Sequence, residues 1–525
     1  MTQVLSHPQK RGNSMPFRSI LFDQSEIGAD IDGHEAPEFF TDLNLDQIVA
    51  PITAGRDEYN LKPFFYTPLR DVETICYRYE ILRDLENQAL FGYIQSFAQE
   101  MRTMRAHVAQ AVKLYYNYHK HSWFLDAVDI YCSAVRRLTG DLTLSDLRSR
   151  GFLAFRDYLA SYTESSDFVS LAAETQKLKG DLSGVRYCLR LEGKRIKVGP
   201  YDSDPDYGAD VLQTFEKFKQ GATKQYRFKF SSWPDMNHVE AAVLDMVARL
   251  YPNIFSSLNE YCSNHRSYLD HTIAAFDREV QFYVACLEHI DCLKPSGLLF
   301  CYPAVTDQSK EVYGREVFDL ALATKLIREN APVVTNDFYL RGPERILVVS
   351  GPNQGGKTTF ARTFGQLHYL ASIGCPVPGR EAGLFLFDRL FTHFEREEDI
   401  QNLSGKLEDD LLRIHRILQQ ATPNSILIMN ESFVSTTLSD ALFLSRQVMQ
   451  QIIQRDMLCV SVTFLDELAS LGETTVSMVS NVNPEDPALR TFKIVRRPAD
   501  GLAYAAAIAE KYRLTYESVK GRIGA

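Results

Sequence analysis

The stretch Ser350-Gly351-Pro352-Asn353-Gln354-Gly355-Gly356-Lys357-Thr358-Thr359 decides how this chain is interpreted. It has the spacing of a phosphate loop, in which a glycine, four residues, a second glycine, a lysine and a threonine follow one another. An apolar run from Ile346 to Val349 precedes it, and an amphipathic helical pattern begins near Phe360. A buried strand before the loop and a helix after it are the flanks that a phosphate loop requires. The sequence therefore predicts a nucleotide site.

The residue types of the loop suit a polyphosphate ligand. Glycines let backbone N–H groups turn towards phosphate oxygens, and the start of the next helix adds the positive end of its dipole. We expect Lys357 to reach the β and γ phosphates and the Thr358 hydroxyl to bind Mg²⁺, so the predicted cofactors are ATP and Mg²⁺. A glycine turn with a chance Lys-Thr pair is the alternative, and both flanks argue against it. The predicted nucleotide-binding residues of the loop are Gly351, Pro352, Asn353, Gln354, Gly355, Gly356, Lys357, Thr358 and Thr359.

A second apolar run, Ser425 to Met429, reads as a buried parallel strand and ends in Asn430-Glu431. In phosphate-loop ATPases this strand end carries an acidic residue for the Mg²⁺ shell, often followed by a glutamate that acts as general base for the attacking water. Glu431 is the predicted catalytic base. Asn430 offers a neutral amide near the metal, which predicts slow hydrolysis. A further strand at Leu458–Thr463 continues the alternation and predicts a doubly wound α/β sheet.

Composition bounds the remaining possibilities. The 525-residue chain is too long for one core, so several domains are expected. No apolar run reaches the roughly 18 residues needed to span a bilayer, so we expect a cytoplasmic protein without a membrane partner. Nine cysteines without a CxxC pair suggest reduced thiols and neither disulfides nor a zinc site. The net charge of −10 means that any attraction to nucleic acid must come from a local basic patch.

Residues 36–310 are predicted to be a helical core and lever region. Apolar residues such as Ile94, Phe97, Met101, Met104, Val108 and Val112 recur at helical spacing. A second helical pattern runs from about 237 to 293 and must kink or split at Pro252. Its later half places Asp277, Arg278, Gln281 and Glu288 on an exposed face. Residues 1–35 are expected to form a flexible arm, and a loop-rich connector after Lys294 leads to a nucleotide domain over 311–525.

The segment 177–230 differs in residue pattern and charge from the predicted helices around it. Alternation of apolar and polar residues on both sides of Glu192-Gly193-Lys194 predicts a β-hairpin. The segment contains twelve basic and seven acidic residues. With tyrosines between the charges, the segment can be a phosphate-contacting surface. An ordinary solvated hairpin face is at least as good an interpretation. The predicted DNA-binding residues are Lys194, Arg195, Lys197, Arg227 and Lys229.

Several motifs together resemble the MutS group of DNA mismatch-repair ATPases, within the ABC ATPase class. Gly351–Thr359 is similar to the GPNxGGK[ST]T motif of that family, and Asp388–Thr392 to its D-R-[IL]-F-T run. Residues 330–336 resemble the stretch that contacts adenine, which implies apolar contacts from Val333 and Val334. Leu403-Ser404-Gly405 is similar to the signature segment, which implies that Ser404 reaches the nucleotide of a partner subunit. The resemblance implies a homodimer that clamps ATP, with C-terminal dimerisation helices.

The departures from the family pattern limit what the resemblance implies. Phe464 stands where the family has its switch histidine, and Phe433-Val434 where a Gly-Arg pair is usual. No mismatch-reading domain fits into the first 60 residues, and no Phe-x-Glu triplet occurs. We therefore expect a divergent protein without the N-terminal mismatch-recognition domain.

Three functions are compatible with these residues. The first is a MutS-like, DNA-associated ATPase that binds mismatched or structured DNA in repair or recombination. The second is a nucleotide-gated scaffold with weak or no hydrolysis that engages a protein partner, which Asn430, Phe464 and the acidic charge favour. A transporter ATPase is the third, and the long helical N-terminal half argues against it.

Overall fold

The structure is a computed structural model that describes residues 17–23, 33–193, 195–201, 236–395, 405–482, 490–499 and 520. Several predicted features lie outside these ranges and stay predictions. They are Lys194, Arg227 and Lys229 of the basic surface, Ser404 of the signature segment, and the C-terminal helices beyond residue 500.

Helices make up most of the first half of the chain, and many begin at a capping side chain. Asp71, Ser165, Asn237, Asp319 and Thr437 each accept a backbone N–H bond at a helix start. In chain order the helices are α1 Phe39–Asp42, α2 Leu45–Thr53, α3 Lys62–Tyr66, α4 Val72–Leu85, α5 Gln88–Lys113, α6 Asn117–Leu144, α7 Arg150–Thr163, α8 Ser166–Ser183, α9 His238–Leu250, α10 Pro252–Asn264, α11 His271–Leu293, α12 Leu320–Arg328, α13 Lys357–Ser372, α14 Lys406–Gln420 and α15 Leu438–Gln454.

Within the described ranges, strands form one hairpin in the first half and the sheets of the second half. In chain order they are β1 Tyr187–Glu192, β2 Arg195–Pro200, β3 Phe300–Cys301, β4 Ala304–Thr306, β5 Val312–Val317, β6 Asn336–Leu340, β7 Ile346–Ser350, β8 Val377–Pro378, β9 Glu381–Phe385, β10 Leu390–Phe394, β11 Ile426–Asn430, β12 Leu458–Val462, β13 Thr475–Val482 and β14 Arg490–Arg496.

Contacts divide the chain into two compact units. Unit 1 contains Gln88–Leu147 and Leu153–Asp277, and unit 2 contains Arg18–Asn87, Arg148–Phe152 and the chain from Arg278 onwards. The sequence suggested a border near residue 310. The structure instead places the early helices α1 to α4 and the end of α11 in the unit that holds the phosphate loop. None of the helices in the described ranges combines the length and hydropathy that crossing a membrane requires.

In the residues of unit 1 that the structure describes, long helices are joined by one hairpin. The interruption predicted at Pro252 is confirmed, because α9 ends at Leu250 and Pro252 begins α10 at its first turn. The exposed face predicted for α11 is wrong: Asp277 and Gln281 are buried, and Arg278 and Glu288 are half-buried. Asp277 forms an ion pair with Arg105 of α5.

The predicted hairpin is present in unit 1. β1 and β2 pair antiparallel, with Glu192 opposite Arg195, and Gly193 takes the left-handed conformation at the turn, with φ +62°. The segment around it starts later than expected, because α8 continues to Ser183 and therefore includes the first residues of the range 177–230.

The main sheet of unit 2 has six strands in the order β10-β11-β12-β7-β13-β14. The first five strands of that order are parallel to one another, and β14 runs antiparallel to β13. Ile346, Val348, Leu427 and Met429 point to one face, where they join a buried cluster with residues of α14 and α15. The other face carries α13, whose Gly365 lies against Ile428. The parallel α/β sheet predicted from the sequence is therefore confirmed.

A second sheet of unit 2 was not predicted. Its order is β4-β9-β5-β6, and β3 pairs with β8 beside it. The sequence suggested a loop-rich connector after Lys294, but Ala304 in this stretch pairs with Gly383, about eighty residues later in the chain. Strands of two or three residues give too short a pattern to be recognised, and their pairing depends on distant partners.

Residues 18–23 also differ from the expected flexible arm. Ile20 and Leu21 are fully buried in unit 2. The Tyr283 hydroxyl donates to the Ile20 carbonyl at 2.7 Å, and the Arg78 guanidinium donates to the Leu21 carbonyl at 3.1 Å. An apolar run this short is missed from sequence because it carries no periodicity.

Candidate functional site

The candidate site lies where parallel strands of the main sheet end. β7 runs into the phosphate loop, β11 ends at Asn430, and β12 ends at Val462. The carboxyl ends of parallel strands lie at one edge of a sheet, which is where α/β proteins bind ligands. The sheet order brings the pair Lys357-Thr358 close to the pair Asn430-Glu431, about seventy residues later in the chain.

The phosphate loop has the backbone that its glycines allow. Gly351 and Gly356 have φ values of +115° and +88°, and Gln354 joins them in the left-handed region with φ +59°. At Gly355 the requirement is space: a Cβ atom there would lie 2.2 Å from the Ser480 hydroxyl. That hydroxyl donates to the Gly355 carbonyl at 2.7 Å. Ser480 of β13 therefore stabilises the loop through this hydrogen bond. No motif in the sequence identifies Ser480 as part of the site.

Lys357 is the first residue of α13 and is buried, with only 4% of its surface exposed. Its ammonium donates to the carbonyls of Gly351 and Pro352 at 2.9 and 3.2 Å, and to Asn353 Oδ1 at 3.4 Å. Burial lowers the pKa of this group, while the nearby Glu431 carboxylate acts in the opposite direction. The cation is thus held inside the loop, where a phosphate is expected.

Thr358 and Asn430 meet directly. The Thr358 hydroxyl donates to Asn430 Oδ1 at 2.8 Å. A hydroxyl and an amide oxygen are both hard oxygen donors, and Mg²⁺ in nucleotide sites uses few protein ligands and keeps phosphate oxygens and waters. The two residues therefore fit the Mg²⁺ ligands predicted from sequence. No carboxylate belongs to this pair.

Glu431 follows β11 in an unusual backbone conformation. Its φ is +54°, and its N–H donates to the Val462 carbonyl of β12 at 2.9 Å. Burial raises the pKa of the carboxyl group, the Lys357 ammonium lowers it, and the Glu395 carboxylate raises it. A raised pKa brings a carboxylate closer to the range in which a general base works at neutral pH.

The turn after Glu431 is stabilised by a side chain that is buried in the core. Phe433 also has a positive φ, +62°, although it is not a glycine, and its ring is 1% exposed within the cluster that contains Met429, Ile414 and Leu418. In the sequence, Phe433 is visible only as a departure from a family glycine. Its structural role is to anchor a strained turn by burial.

The loop that carries Val333 and Val334 connects α12 to β6, and both side chains are half-buried. Beside them, Asn336 accepts the Ile494 N–H at 2.7 Å and donates to the Phe492 carbonyl at 3.2 Å. Phe492 in turn lies against Gly356, where an added Cβ would be 3.7 Å from its Cα. Strand β14 therefore links the predicted adenine-contacting loop to the phosphate loop. Arg490 of the same strand donates to the Asn353 carbonyl at 3.2 Å, a contact that sequence reasoning missed.

The described part of the basic surface lies on the hairpin of unit 1. Cross-strand pairs put Arg190 opposite Lys197 and Arg195 opposite Glu192, so all four share one face. Lys197 forms an ion pair with Glu192 at 2.6 Å. The opposite face carries apolar side chains, among them Leu191, which is 77% exposed. The hairpin is thus cationic on one side only.

Comparison with known proteins gives a family for the second half of the chain. Residues 347–513 match the family MutS domain V. The chain is 24% identical over 276 residues to the DNA mismatch repair protein MutS of Thermotoga neapolitana, covering 52% of this chain and 32% of that protein. It is 31% identical over 159 residues to MutS of Brevibacillus brevis, covering 30% and 18%. The DNA mismatch repair protein MSH3 of Eremothecium gossypii is 29% identical over 147 residues, covering 28% and 14%.

The chain thus spans a third or less of the length of these relatives. The matched segment includes the phosphate loop, the Asn430-Glu431 strand end and Phe464. On these matches and the motifs at the strand ends, residues 347–513 of this chain are a MutS domain V.

Proposed function

We propose that this protein is a divergent MutS-like ATPase that binds ATP and Mg²⁺ at the phosphate loop and acts on DNA. One observation carries the nucleotide part: Lys357 is buried against the loop carbonyls while Thr358 contacts Asn430 at 2.8 Å. A buried ammonium and a hydroxyl at the start of a helix are the groups that polyphosphate binding needs.

In this proposal each side chain has one role. The loop N–H groups and Lys357 hold the phosphates, Thr358 and Asn430 hold Mg²⁺, and Glu431 orients and deprotonates the attacking water. Bound Mg²⁺ supplies positive charge that offsets the charge on the phosphates. Because Asn430 is neutral, the metal is held more weakly than by a carboxylate, and slow turnover is expected.

The proposal extends to DNA and to a second copy of the chain. Relatives with 23–31% identity are named DNA mismatch repair proteins. The cationic face of the hairpin, with Arg190, Arg195 and Lys197, supports a phosphate-contacting surface in this chain. We further propose that the protein is a homodimer, with Ser404 acting on the partner's nucleotide.

A second candidate is a nucleotide-gated scaffold that binds a protein partner and hydrolyses ATP slowly or not at all. The neutral Asn430 beside Thr358 favours it. The two candidates differ in turnover: Glu431→Gln lowers the ATPase rate at least tenfold if Glu431 is the base, and changes nothing in a scaffold.

Substitution of Lys357 tests the nucleotide site itself. We expect Lys357→Ala to weaken Mg²⁺–ATP binding by about 2 kcal/mol or more, because a charged hydrogen-bond donor to phosphate is lost. Calorimetric titration measures the affinity. Lys325→Ala, which removes an exposed lysine of α12, is the matched control and should bind like the wild type. Unchanged ATP affinity in Lys357→Ala would overturn the proposed function.

A further inference from the structure

Phe464 covers the cation of the phosphate loop. Its ring centroid lies 4.6 Å from Lys357 Nζ. The hydrogen bonds of that ammonium go to acceptors of the loop itself, the Gly351 and Pro352 carbonyls and Asn353 Oδ1. The ring therefore takes up space beside Nζ that the loop leaves open. It is 48% exposed, so no tight packing fixes it in place.

The sheet order indicates which part of a nucleotide this ring meets. β12 lies between β11 and β7. Phe464 follows β12 by two residues, while Glu431 follows β11 and the phosphate loop follows β7. A terminal phosphate that is attacked by water held at Glu431 must lie between Glu431 and Lys357. Phe464 enters the site from the strand in between.

The chemistry of the ring does not suit a phosphate. The face of a phenyl ring carries partial negative charge, which attracts the Lys357 ammonium and repels an anion. A phenyl side chain also has no hydrogen-bond donor. A terminal phosphate can reach Lys357 only if the ring moves and its cation–π contact is lost.

We propose that Phe464 is a specificity-determining residue that occupies the place of the terminal phosphate, so that the site binds a nucleoside diphosphate more tightly than a triphosphate. The inference rests on the proposed nucleotide site and narrows its ligand. The α and β phosphates are held by the loop N–H groups and do not require the ring to move. Binding of a triphosphate requires that movement, and its affinity is reduced accordingly.

The test compares two ligands on the whole 525-residue chain. Dissociation constants for Mg²⁺–ADP and for the Mg²⁺ complex of a non-hydrolysable ATP analogue are measured by calorimetry. We expect the wild type to bind ADP about tenfold more tightly than the analogue, because one cation–π contact is lost only with the analogue. Phe464→Ala should bind the analogue about tenfold more tightly than the wild type does, with ADP affinity changed less than about twofold.

One further variant separates the ring's charge distribution from its bulk, and a second serves as a control. Phe464→Leu keeps an apolar side chain but has no π face, so it should fall between the wild type and Phe464→Ala. Phe443→Ala is the control, since Phe443 is an aromatic residue of α15 that is 62% exposed and belongs neither to the phosphate loop nor to the strands that contact it. It should leave the ratio of the two affinities unchanged.

The outcomes are distinguishable. Equal affinities for ADP and the analogue in the wild type, unchanged in Phe464→Ala, would overturn the role of Phe464 and leave the nucleotide site standing. Absence of binding of either ligand to any of the proteins would overturn the proposed function, and this inference with it.

Discussion

At the scale of single residues, the phosphate loop is supported by side chains that touch its backbone. Ser480 donates to the Gly355 carbonyl, and Arg490 donates to the Asn353 carbonyl. Lys357 binds two further carbonyls of the same loop. Carbonyls that point to these three donors leave the N–H groups of the loop available for an anion. The loop is therefore prepared for phosphate by residues from β13 and β14 as well as by its own glycines.

His368 lies in α13, the helix that follows this loop, and it makes the unit sensitive to acid. It is 1% exposed, and burial lowers its pKa from 6.5 to about 4. One ring nitrogen, Nδ1, lies 2.8 Å from the Phe364 carbonyl, and within the described residues Nε2 has no hydrogen-bond partner. Protonation therefore puts an uncompensated charge into the core.

The direction of the pH effect follows from the lowered pKa. Between about pH 4 and pH 6.5 the unfolded chain binds the proton more tightly than the folded chain, so stability is lost as the pH falls through this window. At pH 4.5 the loss due to His368 is about 2–3 kcal/mol. We expect His368→Leu to remove this part of the acid sensitivity.

Urea unfolding at pH 7 and pH 4.5 measures the effect. The control is His271→Gln, whose side chain is 94% exposed in the wild type and which should keep the wild-type pH dependence. A His368→Leu variant that loses as much stability in acid as the wild type would contradict the assignment.

At the scale of elements, the turn after β11 combines strain with burial. Glu431 and Phe433 both have positive φ. The Phe433 side chain is buried, whereas Glu431 is half-buried. A left-handed non-glycine residue costs about 1–2 kcal/mol, and loss of a buried phenylalanine costs about 3–5 kcal/mol. The turn persists because burial of the ring outweighs the strain.

Two substitutions at Phe433 separate these contributions. Phe433→Ala loses the ring and keeps the strain, whereas Phe433→Gly loses the ring and relieves the strain. We expect both variants to be destabilised, with the glycine variant more stable than the alanine variant by about 1 kcal/mol. Thermal or urea unfolding measures the difference.

The matched control is Phe360, which is 2% exposed and lies within α13. There the order should be reversed, because glycine is less favourable than alanine in a helix by about 1 kcal/mol. If alanine were the more stable replacement at both positions, Phe433 would not be under backbone strain.

The same elements show what sequence reasoning can reach. The phosphate loop, the end of β11, the hairpin and the break at Pro252 follow from local patterns, because glycine spacing, apolar runs and proline act within a few residues. Ser480, Arg490 and the buried Asp277 were missed, since their roles depend on partners more than a hundred residues away. Strands β4 and β9 were missed for a similar reason, because Ala304 pairs with Gly383, about eighty residues later in the chain.

At the scale of the whole molecule, the charge distribution decides how DNA can be bound. The net charge is −10, so the chain as a whole repels a polyanion. The hairpin is cationic on one face, where Arg190, Arg195 and Lys197 lie together and Glu192 neutralises part of the charge. Binding to DNA through this face should therefore be weakened by salt in proportion to the few phosphates that it contacts.

Charge reversal on the hairpin tests the proposal against whole-molecule electrostatics. We expect Arg190→Glu, Arg195→Glu and Lys197→Glu together to weaken DNA binding at low salt and to reduce the slope of log affinity against log salt by about 2–3, because up to three phosphate contacts are lost. Fluorescence anisotropy over a range of salt concentrations, with and without ATP, gives both quantities. The control reverses three exposed cations of unit 2, Lys294, Lys325 and Arg328, and changes the net charge by the same amount. A slope that falls equally in both triple variants would mean that overall charge, and not the hairpin, governs attraction to DNA.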